Sequence, residues 1–267
     1  MPEITRHEPG MFSWADLTTT DAEGARAFYK GLFGWESIDN QVDEENFYTL
    51  FTKNEKTVCG MFQITPEMRE QGTVTCWNAY VTVADTDATA AAALAQGATP
   101  IVEPMDVEMD GGRLGRMCVT MDSGGAVFSV WQPDLHIGAE VMGEASTFVW
   151  AELYTHDAEA SAAFYTKVFG WEAQAVEGAG GIPYTLYTSG GAPAGGMLQI
   201  RPEWGEVPPN WTVYFAVESI EAAQEKVPAL GGKVVASAQS VPGVGTFIPV
   251  VDPQGGFLML IELAPSE

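Results

Sequence analysis

Residues 12–36 read FSWADLTTTDAEGARAFYKGLFGWE, and residues 148–172 read FVWAELYTHDAEASAAFYTKVFGWE. Trp14 pairs with Trp150, Asp16 with Glu152, Asp21 with Asp157, Tyr29 with Tyr165 and Trp35 with Trp171, every pair 136 apart. The offset persists through GMFQI (60–64) and GMLQI (196–200). It then drifts to 134 at WNAYVTV (77–83) and WTVYFAV (211–217), and to 130 at DSGGAVF (122–128) and DPQGGFL (252–258). Loop insertions shift duplicated domains in this way. The chain therefore divides into residues 11–133, a linker over 134–146, and residues 147–264.

Each half is itself double. Residues 12–19 alternate as a strand does. Asp21 is placed to cap a helix whose apolar stripe is Ala25, Phe28, Tyr29 and Leu32, and Gly34 suits the helix exit. Strand-like runs follow at 35–39, 46–52 and 57–65. Residues 76–132 repeat the list: a strand, a helix closed by Gly97, then three strands. The second half, with Gly231-Gly232 after its second helix, gives the same order. Four βαβββ units make the fold class α+β. Phe28, Tyr29, Phe33 and their copies read as core.

Composition narrows the function. Twelve basic against 36 acidic residues leave a charge of −24, which repels nucleic acid and anionic lipid. The apolar runs are strand-sized, so no membrane helix is expected. The N-terminal stretch lacks the apolar core of a signal peptide. Cys59, Cys76 and Cys118 form no C-x-x-C pair and read as free thiols in a cytoplasmic protein.

The four units, the AxxFY…FGW helix exit, the V-x-D-x-D strand-to-helix turn and the DPxG-type turn before each half's last strand resemble the vicinal oxygen chelate superfamily. That superfamily includes glyoxalase I, extradiol dioxygenases and bleomycin- or fosfomycin-resistance proteins. The resemblance covers nearly the whole chain and is closest to the tandem two-domain, glyoxalase-like branch. It implies two glyoxalase-like domains whose mixed sheets curl into troughs, with a divalent metal often held at the bottom.

The resemblance also says where such a metal would be gripped: seven residues before the helix-starting Asp, and four after the Gly of the DPxG turn. Counted in this chain, those places hold Trp14, Asn78 and Ser129 in the first half, and Trp150, Thr212 and Met259 in the second. None is a usual ligand for a hard or borderline divalent ion. No cofactor is therefore expected, and a divalent metal enters only if the register is shifted. His7 in the N-terminal stretch, His136 in the linker and His156 at a strand end read as solvated imidazoles outside the troughs.

Asp16 and Glu152 share the faces of Trp14 and Trp150, because side chains two apart on a strand point the same way. They are the candidate catalytic residues: a general base or counter-charge in apolar surroundings. The alternative is a buried acid accepting from backbone amides. Candidate ligand-binding residues are Trp14, Tyr48, Asn78, Tyr80, Ser129 and Trp131, with Trp150, Tyr184, Thr212, Tyr214 and Met259. Trp77 and Trp211 read either as part of the same aromatic lining or as core. Glu262 reads as solvated, and Arg113 and Arg116 as surface ion pairs. No G-x-S-x-G or Cys–His pattern supports covalent catalysis.

Three readings remain open: a metal-independent binder of a small organic molecule; an enzyme on a carbonyl or polyketide-like substrate with Asp16 or Glu152 as acid/base; and a non-catalytic assembly protein. The expected partner is a small-molecule ligand, with neither nucleic acid nor membrane, in a monomer or homodimer.

Overall fold

The protein's structure, a computed structural model, describes residues 4–44, 46–109 and 111–265. The first half runs β1 (Phe12–Thr19), α1 (Ala22–Phe33), β2 (Glu36–Gln41), β3 (Phe47–Lys53), β4 (Lys56–Gln63), α2 (Pro66–Glu70), β5 (Cys76–Thr82), α3 (Thr86–Ala95), β6 (Thr99–Met109), β7 (Gly112–Met121) and β8 (Val127–Pro133). The second runs β9 (Phe148–Thr155), α4 (Ala158–Phe169), β10 (Glu172–Glu177), β11 (Pro183–Ser189), β12 (Ala192–Gln199), β13 (Asn210–Ala216), α5 (Ile220–Ala229), β14 (Lys233–Val234), β15 (Gln239–Val241), β16 (Gly245–Val251) and β17 (Phe257–Leu263). The class is α+β, with two curled mixed sheets. Their strand orders are β2-β3-β4-β1-β5-β8-β7-β6 and β10-β11-β12-β9-β13-β17-β16-β14, with β15 added on β16.

Local chemistry explains the elements. The carboxylates of Asp21, Asp85 and Asp157 accept from the amides of Gly24, Ala88 and Ala160, and Ser219 does the same for Ala222. Gly34 and Gly170 end α1 and α4 in the left-handed region. Two features lie outside the sequence expectation. The short α2 starts at Pro66 behind a Thr65 cap. The counterpart of β6 is broken into β14 and β15. The gap lies opposite Pro249, which has no amide to give to a neighbouring strand.

The core is continuous across the two halves. Phe12 packs on Phe148, Trp171 and Trp211 of the second half, with ring centroids 5.1–6.4 Å apart. Phe33 of α1 packs on Phe215 of β13, and α4 sets Phe164, Tyr165 and Phe169 around Phe128 of β8. Each helix also sends a tyrosine to the other half's turn. Tyr29 donates to Asp252 at 2.8 Å and receives the indole N–H of Trp77 at 2.9 Å. Tyr165 donates to Asp122 at 2.7 Å and receives Trp211 at 2.8 Å. Trp77 and Trp211 thus belong to this core, and an aromatic lining that includes them is ruled out: they sit one residue before Asn78 and Thr212, so they point to the opposite face. The repeated turn is explained by the same contact. Asp122 and Asp252 each accept two amides of their own turn, and Gly125 and Gly255 take φ near +100°, which favours glycine.

Candidate functional site in the two troughs

The face of each sheet turned away from this core is the trough. Register brings the sequence candidates together there. Trp14 lies opposite Tyr80, Asp16 opposite Asn78, Tyr80 beside Ser129, and Trp131 opposite Met117. In the second half Trp150 lies opposite Tyr214, Glu152 opposite Thr212, Tyr214 beside Met259, and Ile261 opposite Phe247.

In the first trough Asp16 is saturated with donors. Tyr80 gives its hydroxyl at 2.9 Å and Tyr48 at 3.1 Å to one oxygen; Asn78 gives its amide at 3.0 Å to the other. Trp14 in turn donates to Tyr48 at 2.9 Å. These partners are side chains of the trough, so the expected backbone-amide setting for a buried acid does not hold. Burial pushes the Asp16 carboxyl up, and the three hydrogen bonds offset part of that rise. The hydroxyls of Tyr48 and Tyr80 are held far above their usual range by burial and by the carboxylate. The Ser129 hydroxyl is buried beside that of Tyr80 and has no hydrogen-bond partner of good geometry among the described residues.

The second trough repeats the design with two exchanges. Tyr154 stands where the first has Thr18, and Thr212 where it has Asn78. Thr212 turns its hydroxyl to Asn210 at 2.6 Å. Glu152 therefore keeps one close donor, Tyr214 at 2.7 Å on Oε1, with Tyr154 and Tyr184 beside it. Trp150 donates to Tyr184 at 3.1 Å. Burial raises the Glu152 carboxyl, again partly offset by the tyrosines. Neither Asp16 nor Glu152 has a Lys or Arg partner among the described residues.

Sequence reasoning passed over Gly60 and Gly196, which stand opposite Asp16 and Glu152. A Cβ at either would collide with the phenol of Tyr48 or Tyr184. The glycines let those rings lie across the strand and reach the carboxyl. The signal was present: a glycine inside a strand, repeated at the 136-residue offset.

His7 and His136 correct the expectation of solvated imidazoles. His136 is half-buried. Its ring stands edge-on to Trp14 at 4.7 Å and lies 5.9 Å from Trp131, whose indole donates to the His136 carbonyl at 2.8 Å. Its Nε2 is buried with no partner among the described residues, and burial lowers its pKa to about 4. His7 donates to the Ala139 carbonyl at 2.8 Å. Ala139 and Met142 pack with Trp14, Tyr80 and Trp131. Residues 136–142 therefore lie on the first trough and do more than connect the halves. His156 is exposed. Glu262 is exposed as expected but is not idle: it accepts the Ile220 amide at 2.9 Å and so caps α5, as Gln132 accepts the Thr86 amide for α3. Arg116 pairs with Asp87 and Asp106, and Arg113 with Asp106 and Asp134.

The donor set does not fit a metal of the kind glyoxalase I or an extradiol dioxygenase uses. The relevant places hold indole, amide, hydroxyl and thioether groups, and each trough brings a single carboxyl. No group of three His, Cys, Asp or Glu side chains with ligating geometry occurs among the described residues.

Curled sheets built from four βαβββ units, with a cross-packed core, define a glyoxalase-type protein. The family model described as "Glyoxalase/Bleomycin resistance protein/Dioxygenase superfamily" matches residues 12–117 and 147–260, and the chain belongs to that superfamily. Among curated proteins it is 35% identical over 268 residues to "Putative glyoxylase CFP32" of Mycobacterium bovis, covering 100% of both chains. It is 33% identical over 270 residues to "Anthracycline biosynthesis protein DnrV" of Streptomyces peucetius, covering 97% of this chain and 96% of that one. Among solved structures, the Mn(II)-bound glyoxalase from Novosphingobium aromaticivorans superposes with a TM-score of 0.64 at 16% identity, over 95% of this chain and 82% of that one. The 2,3-dioxygenase LapB from Pseudomonas sp. KL28 gives 0.64 at 12% identity, over 96% and 92%. These two likenesses concern the fold. No helix among the described residues is long and apolar enough to cross a membrane.

Proposed function

We propose that this chain binds a small organic molecule in an apolar, aromatic trough without the superfamily's metal. The observation that carries the reading is the replacement of the ligand set by an indole, a carboxyl and tyrosine hydroxyls linked by hydrogen bonds. Such a site offers flat apolar walls and a few convergent polar groups, which suits an organic ligand better than an ion. A second reading, catalysis by Glu152 or Asp16, is favoured by one further observation. Each carboxyl is buried, raised by that burial, and touches tyrosine hydroxyls through which a proton can pass. The substrate of that reading is a carbonyl or polyketide-like compound.

Thermal-shift screening of the full chain against aldehydes, thiol adducts and aromatic polyketides tests the proposal. An anthracycline belongs in the screen because one relative is named for anthracycline biosynthesis. A ligand present at about 100 times its Kd stabilises the fold by about 2.7 kcal/mol, which for a chain of this size is a rise of roughly 5 °C or more. The rise is expected to be the same in EDTA and in added Mn(II) or Zn(II). A shift that needs the metal overturns the metal-free reading. No shift with any compound overturns the binding reading.

A further inference from the structure

The two troughs descend from one design but differ in what covers them. In the first, Trp14 is 5% exposed, and the apolar side chains around it include Ala139 and Met142, which are not part of the sheet. The covering segment is fastened at several points. Ala139 gives its amide to the Ser13 carbonyl at 2.8 Å, and Glu140 gives its amide to the Thr57 carbonyl at 2.9 Å. The Glu140 carboxylate takes the Thr57 amide at 2.8 Å and its hydroxyl at 3.0 Å. Gly138 passes so close to Ser13 that a Cβ would come within 2.6 Å of its carbonyl oxygen. This segment inserts a flat heteroaromatic ring, His136, against the indoles of Trp14 and Trp131.

In the second trough Trp150 is only partly buried. Among the described residues, the apolar side chains packed there, such as Trp150, Tyr214, Phe247, Met259 and Ile261, all belong to β9, β13, β16 and β17. At one end the turn Ala179–Gly181 meets β15, so opposite edges of the sheet approach each other and give the trough walls. Glu152 completes the contrast. The three donors on Asp16 occupy both of its oxygens, whereas among the described residues only Tyr214 makes a short hydrogen bond to Glu152, on Oε1, and the Tyr154 and Tyr184 hydroxyls stand beside the carboxyl in weaker contact. The exchange of Asn78 for Thr212 removes one close donor from this carboxyl.

We propose that His136 and its segment occupy the first trough as a built-in ligand, and that an external ligand enters the second trough alone. That ligand is a flat aromatic ring carrying a hydroxyl or carbonyl oxygen. Its ring takes the part of Trp150 that the described residues leave exposed, and its oxygen meets the Glu152 carboxyl. The His136–Trp14 contact is the internal precedent: the indole at this place in the design packs edge-to-face with a flat ring, a favoured aromatic geometry. The ring is neutral or cationic, since a chain of charge −24 repels anions. This inference rests on the binding reading and gives it one trough and one ligand class.

The full chain titrated with 2-naphthol, a neutral flat ring with one hydroxyl, tests it. One equivalent is expected to bind. Hydrogen exchange on the unmutated chain is expected to show protection at residues 149–152 and 213–216, with none at 13–16 and 79–82. Trp150→Ala weakens binding about tenfold or more, as loss of an aromatic anchor does. Glu152→Gln, which keeps the acceptor for Tyr214, flattens the pH profile of 2-naphthol affinity. His136→Ala leaves an imidazole-sized gap, so added imidazole raises its melting temperature and leaves that of the unmutated chain unchanged. Protection at 13–16, or two equivalents bound, overturns the assignment to one trough while leaving the binding reading intact. Failure of 2-naphthol to bind overturns the ligand class named here, and the broader screen then judges the binding reading separately. An imidazole-insensitive His136→Ala overturns the built-in ligand, and an unchanged pH profile in Glu152→Gln removes that carboxyl from the ligand's contacts.

Discussion

Asp252→Ala is expected to destabilise the chain by about 3–5 kcal/mol, and Asp122→Ala by a similar amount. Asp252 is 3% exposed and receives three hydrogen bonds: Tyr29 hydroxyl at 2.8 Å, Gln254 amide at 2.9 Å and Gly256 amide at 2.7 Å. Alanine leaves all three donors without an acceptor, and a buried donor stripped of its partner costs roughly 1–3 kcal/mol. The turn also loses the bonds that hold Gly255 at φ +98°. Asp252→Asn, whose single oxygen still accepts the Gln254 and Gly256 amides but whose NH2 cannot accept from Tyr29, is milder. Tyr29→Phe costs about 1–2 kcal/mol, because the Trp77 N–H loses its acceptor while the turn survives. Urea unfolding followed by tryptophan fluorescence and by circular dichroism measures these effects. Because Tyr29 lies in the first half and Asp252 in the second, the two probes should move together; a loss under about 1 kcal/mol would show that the cross-packed bond is dispensable.

The duplication, the unit order and most element positions were legible because they rest on local signals. A period-two strand, an Asp cap and a glycine exit specify their structure within a few residues. The trough face was legible for the same reason: Trp14, Asp16, Asn78, Tyr80, Ser129 and Trp131 follow from alternation once one of them is placed. What stayed hidden depends on contacts between distant residues. Phe28, Tyr29 and Phe33 read as core, but nothing local says that Tyr29 reaches a residue 223 positions away. Trp77 differed from Asn78 by one strand position, and an aromatic lining was open to it only until the register was fixed. The segment 136–142 carries no periodicity at all. Its place over the first trough comes from tertiary hydrogen bonds to Ser13 and Thr57, which no reading of composition supplies. The repeated DxxG turn was recognised as a motif, while its purpose, an acceptor for the opposite helix, needed the fold.

Acid is expected to lift the segment from the first trough. The imidazole of His136 is held neutral, with its pKa lowered from 6.5 to about 4 chiefly by burial; the Glu140 carboxylate pulls it up and His7 pushes it down. A depressed pKa in the folded chain gives stability that is fully present above pH 6.5 and is lost as pH falls toward 4. The whole interval would correspond to about 3 kcal/mol, but the ring is half-buried, and solvent screening reduces the expected loss to about 1–2 kcal/mol. The mechanism is local. A proton on Nε2 would have no acceptor among the described residues, and the charged ring would stay half-buried beside a backbone held in place by Ser13. The trough carboxyls act with the opposite sign: burial raises Asp16 and Glu152, so their contribution is present below the ordinary carboxylate range and is lost as pH rises through the raised values. His136→Phe separates the two. It fills the same slot without a titrating group, so between pH 6.5 and 4.5 the unmutated chain should lose about 1–2 kcal/mol relative to the variant, while the carboxyl contributions cancel between them. Over the same interval amides 13–16 should lose exchange protection in the unmutated chain and keep it in His136→Phe. Parallel stability curves would mean that the imidazole titrates without leaving its place between Trp14 and Trp131.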